Sequence, residues 1–140
     1  MSEEKFKNKL VAVLNKNIET GKVMNALAHM SIGIGAAIGN KELRLTNYQD
    51  ADGGSHLYIS ELPFIILSSN SNKIRILRQE ALINNIIFND FTDTMTIGTY
   101  KEQIERTLEV SDKNLIYYGI ILFGDWDKVT ELTKKFSLWR

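Results

Sequence analysis

Apolar residues fall along this chain in runs of two alternating kinds, one with the period of a strand and one with the period of a helix. Leu10-Val-Ala-Val-Leu14 is short, continuous and valine-rich, the pattern of an inner strand buried on both faces. Asn15 to Gly21 then supplies polar turn chemistry, with Thr20 or Gly21 available as a helix N-cap. From Gly21 to Gly39 the pattern is helical: Val23, Leu27, Met30, Ile34 and Ile38 recur at spacings of four, three, four and four and trace one apolar stripe. Beside it Met24, Ala28, Ser31 and Gly35 form a mostly small row. Such a row predicts a close approach to a neighbouring element, and a helix covered on both sides rather than half solvated.

Residues 40–61 are less regular. Leu43 and Leu45 alternate with Arg44 and Thr46, and Leu57 and Ile59 with His56 and Tyr58. Asp52-Gly53-Gly54 lies between them as a turn, so the segment reads as an excursion with hairpin character. Pro63-Phe-Ile-Ile-Leu67 returns to the core as a strand, its proline at the first residue, where a missing donor is tolerated. Ser71 or Asn72 can cap a helix to about Asn84, with Ile74, Leu77, Ala81 and Leu82 inward and Lys73, Arg75 and Arg78 outward. Ile86-Ile-Phe88 opens a strand that runs into Asn89 to Thr94. Thr99 caps a helix to about Val110 with Tyr100, Ile104 and Leu108 at spacing four. Leu115 to Phe123 is the strongest strand pattern. Asp125 caps a last helix in which Val129, Leu132 and Phe136 face one way, and Trp139 in the tail is expected to pack back. The alternation predicts an α/β three-layer sandwich, a mainly four-stranded mixed sheet with helices on both faces.

Length and charge narrow the reading. A chain of 140 residues closes one core, so a single domain over residues 1–140 is expected. With 17 basic and 17 acidic side chains no global field draws it to nucleic acid or an anionic membrane. The absence of cysteine excludes a disulfide framework and thiolate metal sites and agrees with a cytoplasmic protein; no cofactor is expected. MSEEKFKNK lacks the apolar run of an export signal, and Val23 to Ile38, interrupted by Asn25, His29, Ser31 and glycines, lies below spanning length.

GKVMNALAH resembles the opening helix of type II peptidyl-tRNA hydrolases, whose motif reads GK, small residues with a glutamine, then a histidine. Asp90-Phe-Thr-Asp-Thr94 resembles that family's Asp-x-x-x-Thr, and GIILFGDWDKVTELTKKFSL its final strand, glycine turn and helix. The combination of LNKNIETGKVMNALAH, an ADGG excursion and a terminal KKFSLWR resembles, over nearly the whole chain, an uncharacterised bacterial family related to those hydrolases. The resemblance implies a sheet flanked by helices, a homodimer, and active-site roles for Lys22, Asp90 and Thr94. Ala26 stands at the position of the glutamine, and the helix around Tyr100 to Val110 replaces the family's proline-glycine-serine connection. Both departures bear on activity more than on fold.

Lys22, Asn25 and His29, at spacings of three and four, share one face of the helix that begins at Gly21. With Gly21 they form a candidate site for a small anionic or acyl ligand at the helix N-terminus. The alternatives are a solvated first-turn lysine and a hydrogen-bonded core histidine, and for His29 the burial pattern favours the latter. As a peptidyl-tRNA or acyl-ester hydrolase the chain would use Lys22 to hold an anionic or carbonyl oxygen, Asp90 as base or orienter and Thr94 as a positioning hydroxyl, all in one cleft. A dimeric interaction module without catalysis is the third reading. Gly33-x-Gly35-x-x-x-Gly39 falls inside the helical pattern and reads as packing, not as a dinucleotide loop. Asp50-x-Asp52 with Glu61 has the outer spacing of a calcium loop but lacks its glycine at the required place, and His29 and His56 do not make a zinc site. Lys73, Arg75, Arg78, Lys134, Lys135 and Arg140 would face tRNA if their helices lay side by side, Tyr117 or Tyr118 offering stacking; the commoner reading is a set of solvated helix faces.

Overall fold

The valine-rich run becomes the central strand, β1 (Asn8–Asn15), in a computed structural model that describes residues 6–140. Met1 to Lys5, on which part of the export-signal reading falls, lie outside the described residues. The chain continues as α1 (Thr20–Ile38), a short α2 (Asn40–Leu43), β2 (Leu45–Gln49), β3 (Ser55–Ser60), β4 (Phe64–Ser69), α3 (Ser71–Ile83) and β5 (Ile87–Thr92). It ends with α4 (Tyr100–Leu108), β6 (Tyr117–Asp125), α5 (Trp126–Thr133) and β7 (Ser137–Leu138). β1 pairs parallel with β4 and antiparallel with β6, giving a mixed sheet in the order β5-β6-β1-β4-β7.

The sheet therefore has five strands, not the expected four. β7 is two residues long and leaves no periodic signal; it exists because the chain after α5 returns to β4, setting Leu138 opposite Leu67 and Ser137 opposite Ser68. Trp139 donates its amide to the Ile66 carbonyl at 3.0 Å, and its indole packs on the core.

Alternation along β1 divides the core between the two faces of the sheet. Leu10, Ala12 and Leu14 pack with Val23, Ala26, Met30 and Ile34 of α1, and Val11 and Val13 with Ile74 and Leu77 of α3 and Val129 of α5. The helices thus cover both faces. Among the described residues no helix is long and apolar enough to cross a membrane.

Three helices differ from their predicted packing: on α3, Leu82, expected inward, is exposed, while Arg75, expected outward, is mostly covered. α1 is half solvated: Met24, Asn25, Ala28, His29 and Ile32 face water, because residues 40–61, the segment free to cover them, fold instead into α2 and a separate two-stranded ribbon of β2 and β3. On α4 the row Tyr100, Ile104 and Leu108 is 78%, 57% and 83% exposed. That helix is held by polar contacts: Thr99 forms a capping box with Glu102, Thr107 Oγ1 bonds the Thr94 hydroxyl at 2.8 Å, and Arg106 donates to the carbonyls of Thr94 and Ile97.

The ribbon tip is organised by Asp50. Its carboxylate lies 2.9 Å from His56 Nε2 and accepts from the amides of Asp52 and Gly54 at 3.0 Å, so the outer part of the calcium-like spacing is spent on a turn. His56 first, then the Gly54 and Asp52 amides, hold the Asp50 carboxyl below its ordinary value. A depressed folded value means that its contribution is present at neutral pH and lost as pH falls below ~4. In an acid titration followed by amide NMR, Asp52, Gly54 and His56 should move towards disordered positions while β1 and β6 stay fixed. Tip and core moving together would contradict this.

Candidate functional site

β1 is parallel to β4, and β6 is antiparallel to both β1 and β5, so β1, β4 and β5 all point their carboxyl ends the same way. α1 and α3 both start there. The end of an α/β sheet where chains leave parallel strands for helices on opposite faces is a natural crevice. Here it holds a cleft of about 920 Å³ between the start of α3 and the turn that precedes β6.

Each wall is fixed locally. At the back, Asn15 ends β1 only 2% exposed; its side-chain amide donates to the Tyr117 carbonyl, and its oxygen accepts from the Asn17 amide, both at 2.9 Å. Asn70 caps α3 by accepting from the Lys73 amide at 3.0 Å, one residue before the predicted caps. The opposite wall, residues 113–116, is tied to α3 by Arg75, which donates to the carbonyls of Asp112 and Leu115 and to Asn72 Oδ1. Tyr117 is buried beneath it and donates its hydroxyl to Asp112. Burial, then that hydrogen bond, pushes the Tyr117 hydroxyl far above its ordinary value, so it stays a proton donor throughout the working range of pH.

Cations converge on this end. Lys73, Arg75 and Lys113 line the cleft; Lys16 and Arg140 line a second one, about 630 Å³, on the α1 side. No acidic side chain lines either cleft, and Asp112, next to Lys113 in the chain, is occupied by Tyr117 and Arg75. Among the described residues Lys16, Lys73, Lys113 and Arg140 have no ion-pair partner, while Lys22, Arg44, Arg78, Lys134 and Lys135 are paired.

The residues singled out from the sequence do not meet in one place. Lys22, on the first turn of α1, is exposed and 3.5 Å from Glu19. Gly21 and Asn25 are exposed beside it. His29 is not a core histidine: it lies on the solvent side of α1, stacked on Phe91 with ring centroids 6.1 Å apart. Ala26, at the position of the hydrolase glutamine, is fully buried against the core. On β5, Asn89 and Phe91 turn to α1, whereas Asp90 turns to the other face and accepts from Arg78 of α3 at 2.9 Å. Thr94 is buried, its hydroxyl 2.7 Å from that of Thr92 and bonded by Thr107. Lys22 and Asp90 are thus on opposite sides of the sheet, and Thr94 is enclosed. The helices of the supposed tRNA face, α3 and α5, do lie side by side on one face of the sheet, but three of its cations are spent on neighbouring carboxylates: Arg78, Lys134 and Lys135 pair with Asp90, Glu131 and Glu80.

Asn15, Asn70, Lys113 and Asn114 escaped the sequence reading as site residues. Their signal is compositional: Asn15-Lys-Asn17 and Asn70-Ser-Asn-Lys73 are similar asparagine-lysine stretches at the ends of two strands. Read singly, each is only a turn or a cap.

The family of proteins of unknown function DUF2000 matches residues 8–140. The chain belongs to that family. The DUF2000 match covers all the strands and helices described, including both walls of the cleft. A solved structure of a protein of unknown function from Agrobacterium tumefaciens strain C58 is similar, with a TM-score of 0.85 at 21% identity, covering 97% of this chain and 100% of that one. At that identity the likeness concerns the fold alone. No curated protein matches. Neither the family description nor that structure's mentions peptidyl-tRNA hydrolysis.

Proposed function

We propose that this DUF2000 chain binds a small anionic ligand in the cleft between the start of α3 and residues 113–116. The observation that carries the reading is the pair Lys73 and Lys113, one on each wall, both without a carboxylate partner in a cleft that no acidic side chain lines. Two ammonium groups left unpaired across a preformed gap repel each other, and an anion between them removes that repulsion. The walls are ordered before a ligand arrives, since Arg75 and Asn15 hold them by hydrogen bonds. The reading shifts the anticipated ligand site from the first turn of α1 to the first turn of α3, one crossover later in the chain. The hydrolase alternative needs Lys22, Asp90 and Thr94 in one cleft, and the geometry gives it no support.

Titration with inorganic phosphate at low ionic strength, followed by amide NMR, tests this. Saturable shifts are expected at residues 71–73 and 113–115, and Lys73→Glu with Lys113→Glu should abolish them while leaving the spectrum of β1 and β6 unchanged. Shifts spread evenly over all surface lysines, or none that saturate, would sink the proposal.

A further inference from the structure

The cleft has a second character besides its charge. Each wall carries a lysine followed three residues later by an isoleucine: Lys73 and Ile76 on α3, Lys113 and Ile116 on the facing segment. On a helix that spacing puts Lys73 and Ile76 on one face. Ile76 and Ile116 are 48% and 45% exposed although both line the cleft, and Ile18 and Leu115 extend the apolar lining. The volume also matters. A phosphate ion alone would leave most of about 920 Å³ to water, whereas clefts of several hundred Å3, roughly 300–1,000, normally hold organic ligands.

We infer that the ligand is an organic anion, with its phosphate or carboxylate between Lys73 and Lys113 and an apolar body lying on Ile76 and Ile116. This deepens the anion-binding reading and rests on it. The charged group supplies attraction and orientation. The apolar body covers two half-exposed isoleucines, so its contribution grows with the apolar area removed from water and not with charge. Arg75 acts as a positioning residue: it is 13% exposed in its side chain and spends its donors on Asp112, Leu115 and Asn72, holding Lys113 and Ile116 opposite α3.

The test compares inorganic phosphate, phenyl phosphate, hexyl phosphate and hexanol as probes of the full chain, by calorimetry and amide NMR. Phenyl or hexyl phosphate should bind about tenfold more tightly than inorganic phosphate. Ile76→Asn with Ile116→Asn should remove that gain and leave phosphate binding unchanged, with circular dichroism confirming the fold. Lys73→Glu with Lys113→Glu should remove binding of all three anions. Equal affinity for the organic and inorganic phosphates would overturn this inference and leave the anion site standing. No saturable binding of any anion would overturn both, and hexanol binding as tightly as hexyl phosphate would overturn the anion site itself.

Discussion

Gly119→Val is expected to destabilise the fold by about 3 kcal/mol, read as a lower urea midpoint with an unchanged slope. Gly119 lies buried on β6 beneath α1, and a Cβ there would sit 2.8 Å from Leu14 Cδ2, 2.9 Å from Met30 Cε and 3.3 Å from the Val13 carbonyl oxygen. Two of these neighbours are core side chains, and the third is backbone of the central strand, which cannot give way without disturbing its pairing with both β4 and β6. Valine would therefore push α1 off the sheet. Gly35→Ala is the control. A Cβ at Gly35 meets nothing within 4 Å, and alanine in a helix is better than glycine by ~0.5–1 kcal/mol, so this variant should be slightly more stable. Equal losses from the two would mean that close packing under α1 is not what Gly119 provides.

Asn15→Leu should cost about 2–3 kcal/mol and also weaken phosphate binding. Leucine has the branching and heavy-atom count of asparagine but neither donates to the Tyr117 carbonyl nor accepts from the Asn17 amide, and Asn15 is almost wholly enclosed. The Tyr117 carbonyl then stays buried without that donor. The same two bonds join the end of β1 to the start of β6 and fix the first residues of the turn into α1, so the back of the cleft loosens together with the fold. Denaturation and a phosphate titration on one sample separate the two effects. A stable variant with unaltered phosphate affinity would show that Asn15 neither holds the turn nor shapes the cleft.

Most of the fold could be read in the sequence, and little of the site. The run Leu10 to Leu14 has only one way to be apolar at every position, burial on both faces, and that made β1 central. The caps at Thr99 and Asp125 were legible because capping uses residues within one turn of each other. His29 was misread for the converse reason. A helix stripe shows which face is apolar, but not whether the remainder of the helix is covered, and the coverage of α1 depends on where residues 40–61 go.

The candidate site is made of separations that no local pattern records. Asp90 and Phe91 are neighbours in the chain, yet the pleat sends one to Arg78 and the other to His29, on opposite sides of the sheet. A resemblance in motif could therefore gather Lys22, Asp90 and Thr94 in sequence while the fold keeps them apart. Lys73 and Lys113 are 40 residues apart and line one cleft whose walls are tied together where Arg75 binds the carbonyl of Leu115.

By itself, then, the sequence determined the alternation of strands and helices, the central strand, the amphipathic stripe of α1 and the turn at Asp52-Gly53-Gly54, since each follows from interactions within a few residues. The tertiary structure decided the fifth strand, the solvation of α1 and α4, and the meeting of two asparagine-lysine stretches at one end of the sheet. Those outcomes depend on which distant segments become neighbours, and that is set by parallel pairing of β1 with β4 and by the pleat of β5, not by any local run of residues.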